Sequence, residues 1–286
     1  KILIRAVMYL LMGLLSALCW GGTDYLSGKA ARELGVFKAL FVSQLFGLMM
    51  LSLIFFVFSI PFELQISGLL TAAIASFCNL LGMVFLLKAL SIGKVSVVAP
   101  LVSLYGAVTT VLAIISGRQV SWIILSGLFL CILGACLASI SPSHDGKRES
   151  PASVGFALMS SLSLGLGFWL QGEFAVKELG VIQSLWIYYA TALMFLSLVV
   201  MGRKDVKSPS LGMLGLLFCI SCMSLTGFFT LAYGASLGHV AVVTVLSSLA
   251  SAVTALLGFT LKQERLSLPQ LSGLFMIISG VVVLRI

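Results

Sequence analysis

Glu33-Leu34-Gly35-Val36 is written a second time in this chain, as Glu178-Leu179-Gly180-Val181. The shift from 33 to 178 is 145 residues, and it holds elsewhere. Ile92-Gly93-Lys94-Val95 returns as Leu237-Gly238-His239-Val240, Val97-Val98 as Val242-Val243, and Ala107-Val108-Thr109 as Ala252-Val253-Thr254. After one inserted residue, Ser126-Gly127-Leu128-Phe129 matches Ser272-Gly273-Leu274-Phe275, and Gly134 matches Gly280. Chance supplies one such match, not a series at a nearly constant shift. The chain is one sequence written twice.

What each copy contains follows from its hydropathy. Hydrophobic residues make up 60% of the chain and charged residues 9%, with a mean hydropathy of +1.18. A water-soluble domain has about a quarter of its residues charged, so this surface must face lipid. A helix crosses a bilayer core with roughly 20 apolar residues. Apolar spans of that kind run at 6–28, 37–60, 66–87, 95–116 and 121–141, and again at 152–174, 181–201, 210–235, 240–261 and 268–285. Continuous apolar runs predict helices, since barrel strands alternate. The expected fold is an all-α integral membrane protein of ten transmembrane helices. The first repeat occupies 1–141, a solvated linker 142–151, and the second repeat 152–286. The first span is too long for a cleavable leader and is expected to be retained.

Five spans per copy is an odd number, so the second copy must enter the membrane inverted. Inverted repeats around a mid-membrane site are a recurring architecture of secondary transporters. Charge placement agrees: basic residues follow the first and third spans of one half, but mainly the second and fourth spans of the other. The net charge of +8 is scattered over short loops, which argues for topology signals rather than nucleic-acid binding. Of the 17 basic residues, Lys1, Arg5, Arg118, Lys177 and Arg285 share the side of the termini, and the other twelve lie opposite. Taken literally, that count puts both termini outside the cytoplasm. The six cysteines sit within apolar spans, and Cys219 and Cys222 in mid-helix read as packing residues.

Trp20-Gly21-Gly22 with Lys29, the segment 85–100 (FLLKALSIGKVSVVAP) with Gly117, and the segment 233–280 with Glu264-Arg265-Leu266-Ser267 resemble the EamA-like branch of the drug/metabolite transporter superfamily. The resemblance covers essentially the whole chain. It implies ten helices, a central cavity lined by helices 1–4 and 6–9, peripheral helices 5 and 10, and cytoplasmic termini, the last against the charge count. In the second half Gly165-Leu166-Gly167 stands where Trp20-Gly21-Gly22 stands in the first, with Trp169 displaced.

Ionisable residues inside a bilayer are costly, which makes each a functional candidate. Asp24 lies one helical turn from Trp20, on the same face. At the 145-residue shift its partner is Trp169, with Glu173 a turn further on. A carboxylate from each half would suit a cationic group or a coupling proton, whereas helix-end pairing with Lys29 or Lys177 would make both structural. Lys88, equivalent to Tyr233, and Lys94, equivalent to His239, would meet an anionic group or snorkel to the interface. Gln44, Asn79, Gln171 and Tyr105 are neutral pathway candidates or interhelical hydrogen-bond partners. Trp20 and Trp169 would line an aromatic path, while Trp186, Tyr188 and Tyr189 read as interfacial belt residues. Pro100 would kink the fourth span. Gly127, Gly134, Gly273 and Gly280 would let helices 5 and 10 pack closely, within the chain or in a homodimer.

The sequence holds no Walker motif, no metal-ligand cluster and no catalytic triad, so no enzyme, cofactor or metal is expected. The favoured reading is a secondary transporter in the cell's inner or plasma membrane, exporting an amino acid or related small metabolite, with a proton or counter-substrate as coupling partner. Multidrug cation export lacks a glutamate in mid-span one. Sugar-phosphate exchange lacks buried basic residues in the second half. A non-transport membrane protein, enzymatic or structural, is the reading from a different class.

Overall fold

The computed structural model describes residues 2–117, 121–138, 150–202, 209–237, 240–262 and 267–283. Among these no strand occurs, as a lipid environment requires of an open chain. The first half comprises α1 (Ile2–Leu34), α2 (Val36–Val57), α3 (Ile66–Ile92), α4 (Val95–Val102), α5 (Tyr105–Ile115) and α6 (Trp122–Ala138). The second comprises α7 (Pro151–Leu170), a π-helical turn (Gln171–Ala175), α8 (Val176–Met201), α9 (Leu211–Ser236), α10 (Val240–Ser247), α11 (Ala250–Lys262) and α12 (Leu268–Val283). By length and composition six described runs are long and apolar enough to cross a membrane, Pro151–Met201 being one of them.

The repeat is visible in the backbone. Gly35 turns the chain from α1 into α2 at φ 81°, and Gly180 breaks the Pro151–Met201 run at φ 74°. A side chain would strain either turn, which explains why Glu-Leu-Gly-Val is kept in both copies. The fourth helix of each half is also broken at the same place. α4 gives way to α5 at Ser103-Leu104, and α10 to α11 at Ser248-Leu249. Pro100 is not the common cause, because Val245 stands at its place in the second half. Both breaks instead carry a serine bonded back to the carbonyl three residues earlier: Ser103 Oγ to Pro100 O and Ser248 Oγ to Val245 O, each at 2.6 Å.

The inner packing obeys the same two-fold relation. Thr109 Oγ1 donates to Gly165 O at 3.0 Å, and Thr254 Oγ1 to Gly21 O at 3.0 Å. At both glycines the facing helix is very near: a Cβ on Gly21 would lie 2.8 Å from Ala250 O, and one on Gly165 2.9 Å from Tyr105 O. These equivalences correct the register. Gly21 corresponds to Gly165, a shift of 144, whereas Gly35 corresponds to Gly180, a shift of 145. The extra residue is the π turn Gln171–Ala175, a one-residue insertion into an otherwise regular helix. Asp24 therefore corresponds to Phe168, not to Trp169, and Trp20 to Leu164.

Helices pair across the halves. α1 packs on α9 and α3 on α7, α2 packs on α8, and the broken helices α4–α5 and α10–α11 meet each other. α6 packs along α12, with Gly127, Gly134, Gly273 and Gly280 all buried, so these glycines serve contact within the chain. The outer surface is apolar: Phe56 is 84% exposed, Trp122 86%, Leu211 86% and Leu268 82%. Serine, threonine and amide side chains are buried inside. This apolar surface is that of a protein solvated by lipid.

Candidate functional site

Halfway along the bundle four aromatic rings meet, two from each half. Trp20 on α1 stacks on Phe168 of α7, with centroids 5.1 Å apart and planes at 19°. Phe228 of α9 stands edge-on to Trp20 at 4.9 Å, and Tyr105 of α5 edge-on to Phe168 at 5.2 Å. Tyr105 is held by a 3.0 Å hydrogen bond between its hydroxyl and Ser247 Oγ. These rings wall a cleft of about 410 Å³ empty volume that also contains the carboxylate of Asp24. Among the described residues Asp24 makes no hydrogen bond or ion pair, and it is the only charged side chain lining the cleft.

A second cleft, of about 400 Å³, continues from the first through Thr23, Met83 and Ser224 toward the Gly35 turn, where Ala30 and Ala39 flank it. Gln44 and Tyr189 line this lobe. Gln44 Nε2 donates to Tyr188 OH at 3.2 Å, and Tyr188 rests on Phe228 at 4.6 Å. Two polar atoms of the lobe, Thr23 Oγ1 and Gln44 Oε1, are buried without a hydrogen-bond partner among the described residues, while the Tyr189 hydroxyl faces Ser224. Leaving such an atom unmet costs about 1–3 kcal/mol, and Asn79 Oδ1 on the other side of the chamber is unmet as well. The free space is water-sized in both lobes.

The opposite end is closed. Asn79 Nδ2 donates to Gln171 Oε1 at 3.2 Å, and Gln171 Nε2 to Ser184 Oγ at 3.5 Å. Beyond them Gln183 exchanges two hydrogen bonds with the backbone of Glu63, at 2.8 and 2.7 Å, and Ser67 Oγ donates to Glu178 Oε2 at 2.8 Å. These bonds tie the start of α3 to the Gly180 turn. At the Gly35 end the described cross-helix polar ties include Arg32 to Leu90 O at 3.0 Å and Ser221 to Ser43 O at 2.6 Å.

The comparisons with known proteins bear on this arrangement. The profile of the EamA-like transporter family matches residues 7–140 and again 152–286. The chain belongs to the EamA-like transporter family. No curated protein matches it. A crystal structure, described only as that of a protein, superimposes with a TM-score of 0.77 at 15% identity, covering 96% of this chain and 95% of the other. At that identity the likeness concerns the fold. Family and helices together make this EamA-like chain a multi-pass integral membrane protein.

Not every residue singled out from the sequence reaches the chamber of this EamA-like protein. Trp20, Asp24, Gln44 and Tyr105 line it. Asn79 and Gln171 form the closed cluster, with a smaller gap beside Gln171. Glu173 does not mirror Asp24: it pairs with Lys177 at 2.5 Å, one turn along the helix. Lys88 is exposed and sits over the Phe156 ring at 4.8 Å, and Tyr233 stacks on Phe229 near the surface. Trp169 is half-buried against Phe174, its Nε1 unpartnered. His239, Arg118, Arg203 and residues 142–149 of the linker lie outside the described residues. Tyr188 and Tyr189, expected at the interface, are each 1% exposed and belong to the core of the site, whereas Trp186 stays near the rim, bonded to Ser52 at 3.1 Å.

Thr23, Phe168, Ser224 and Phe228 were not expected from the sequence. A signal existed for all of them. Ser224 and Phe228 are the repeat images of Asn79 and Met83, and Phe168 is the image of Asp24 once the π insertion is counted. Thr23 stands beside Asp24 and opposite Ser224 in the shared wall of the two lobes.

Proposed function

We propose that this EamA-like protein is a secondary transporter that moves a small metabolite, an amino acid or related compound, across its membrane by alternating access. The reading counts ten crossings. Gly180 divides Pro151–Met201 in two, and the broken helix α10–α11 and the shorter helices α6 and α12 complete each half as five. The two copies then lie inverted about the chamber. One observation carries the proposal: the chamber sits where the two halves meet, and it reaches toward the Gly35 turn while the equivalent path toward the Gly180 turn is filled by hydrogen-bonded side chains. Exchanging the conformations of the halves would close the first path and open the second. Water-sized gaps fit an occluded moment of that cycle, and the coupling partner would be a proton or a counter-substrate.

The test is a proteoliposome uptake screen over amino acids, organic cations and sugar phosphates, with and without a pH gradient. Saturable flux of an amino compound is expected, and its response to the gradient reports the coupling. Absence of protein-dependent flux for every class would remove the transport reading. A single-cysteine scan with a membrane-impermeant thiol reagent adds a second check, since reactivity is expected at positions 23, 27 and 224.

A further inference from the structure

From the chamber's lining we infer that the guest is a monocationic amine that carries a neutral hydrogen-bonding group and no free carboxylate. The inference rests on the chamber being a transport site, and it narrows the proposed cargo, an amino acid or related compound, to related amines without the carboxylate, argued from the two lobes separately.

The first lobe offers a carboxylate walled by rings. Asp24 has no cationic partner, and Trp20, Tyr105, Phe168 and Phe228 stand within a mutually contacting group around its cleft. A protonated amine there is neutralised by Asp24 and attracted by the negative faces of the rings, an interaction that strengthens when water is excluded. The alternatives fail on charge. An anion would meet a carboxylate of its own sign at low dielectric, and a neutral guest would leave the half-buried Asp24 carboxylate unpaired.

The second lobe decides what the rest of the guest carries. Thr23, Gln44 and Tyr189, which line it, are 3%, 4% and 1% exposed, and Thr23 Oγ1 and Gln44 Oε1 have no hydrogen-bond partner among the described residues. All three groups are neutral. Gln44 Oε1 can only accept, and the amide nitrogen spends one of its two N–H groups on Tyr188. A guest that meets it must therefore bring a donor, which an amide or hydroxyl has and a carboxylate lacks. The Thr23 and Tyr189 hydroxyls can give or take. Lys38, next in sequence to Ala39 of this lobe, has a buried Nζ with no described partner but lines neither lobe.

Four compounds built on one isobutyl skeleton separate these features: leucinamide, 3-methylbutylamine, leucine and 4-methylpentanoate. Calorimetric titration of each into the full chain in nanodiscs at pH 6.5 is expected to rank them in that order. Leucine should bind about tenfold or more weakly than leucinamide, and 4-methylpentanoate should not bind. Asp24→Asn should weaken both amines by roughly 30-fold or more. Gln44→Leu should weaken leucinamide by about three- to tenfold and leave 3-methylbutylamine unchanged.

Leucine binding as tightly as leucinamide overturns the inference, and loss of that leucine affinity in Lys38→Met would assign the site to zwitterions instead. Tight binding of 4-methylpentanoate, or no binding by any of the four, overturns it as well. Should Asp24→Asn fail to fold, the ranking on the unaltered protein decides alone. Flux measurements in liposomes keep the two readings apart. Amine binding without flux retains the site and removes transport, while flux of other solutes without amine binding does the reverse.

Discussion

The two ends of the chamber are built on one scaffold and finished with different side chains. Toward the Gly180 turn the positions are Asn79, Gln171 and Ser184, joined by hydrogen bonds of 3.2 and 3.5 Å. Their repeat images toward the Gly35 turn are Ser224, Ser27 and Ala39, and these line the open lobe. Two amides at one end face a serine and a serine at the other, and a serine faces an alanine. The difference continues outward, where Gln183 clamps the Glu63 backbone and its image is Lys38. The repeat thus gives both ends one scaffold, while a handful of side chains leave one end filled and the other hollow. Interhelical hydrogen bonds in membranes contribute about 0.6 kcal/mol on average and at most about 2. In the proposed carrier two of them would bias the two states by about 1 kcal/mol, enough to favour one resting state without locking it.

The scaffold is the part most sensitive to change, and it should respond alike in both halves. Valine at Gly165 or at Gly21 would place a Cβ 2.9 or 2.8 Å from a backbone carbonyl, of Tyr105 or Ala250, where no rotamer change relieves the overlap. Each of Gly165→Val and Gly21→Val is expected to cost about 3 kcal/mol or more. Size-exclusion profiles and thermal unfolding in detergent measure this. A marked tolerance at one site alone would break the comparison at its root, because the halves would then not share a contact.

The closing side chains come next in size. Ser27→Gln, Ala39→Ser and Ser224→Asn together copy the closed cluster into the open lobe. Two new interhelical hydrogen bonds at about 0.6 kcal/mol each would favour closure of that end, and transport should fall by roughly five- to tenfold with folding retained. Proteoliposome flux and a monodisperse elution profile are the readouts. Unchanged flux would mean that the asymmetry of the chamber has no part in the cycle.

How much of this was legible in the sequence depends on the kind of signal. The fold was carried by hydropathy and by the 145-residue repeat, both of which survive any detail of packing. The register inside α7 was not, because a π turn adds a residue without altering the apolar pattern, and the error moved the partner of Asp24 from Phe168 to Trp169. Tyr188 and Tyr189 were misplaced for a related reason. Position along a span predicts depth in the bilayer but not which face of the helix turns inward, and these two tyrosines turn toward Gln44 and Phe228. Asp24 and Trp20 were found because a charged group and an indole one turn apart are conspicuous in an apolar run. Thr23 and Ser224 are small and polar like dozens of others, marked in the sequence only by the neighbouring Asp24 and the repeat image of Asn79, and the structure adds the orphaned hydroxyl of Thr23 and the shared cleft.

The smallest expected effect is the finest test of the comparison. Thr109 Oγ1 is shared between Tyr105 O of its own helix and Gly165 O across the interface, both at 3.0 Å. Thr254 Oγ1 is shared between Ala250 O at 2.8 Å and Gly21 O at 3.0 Å. Valine preserves the shape and removes the hydroxyl, so Thr109→Val and Thr254→Val should each cost about 0.6 kcal/mol and no more than about 2. The costs should agree within about 0.5 kcal/mol, and because the two sites share no partner the double variant should lose their sum. Unfolding titrations in mixed micelles provide the numbers. Equal and additive losses would place the chamber's asymmetry in its closing side chains alone. A larger loss at Thr254 would instead show that the α1–α11 contact beside Asp24 is the tighter hinge, and that the scaffold itself shares in the bias.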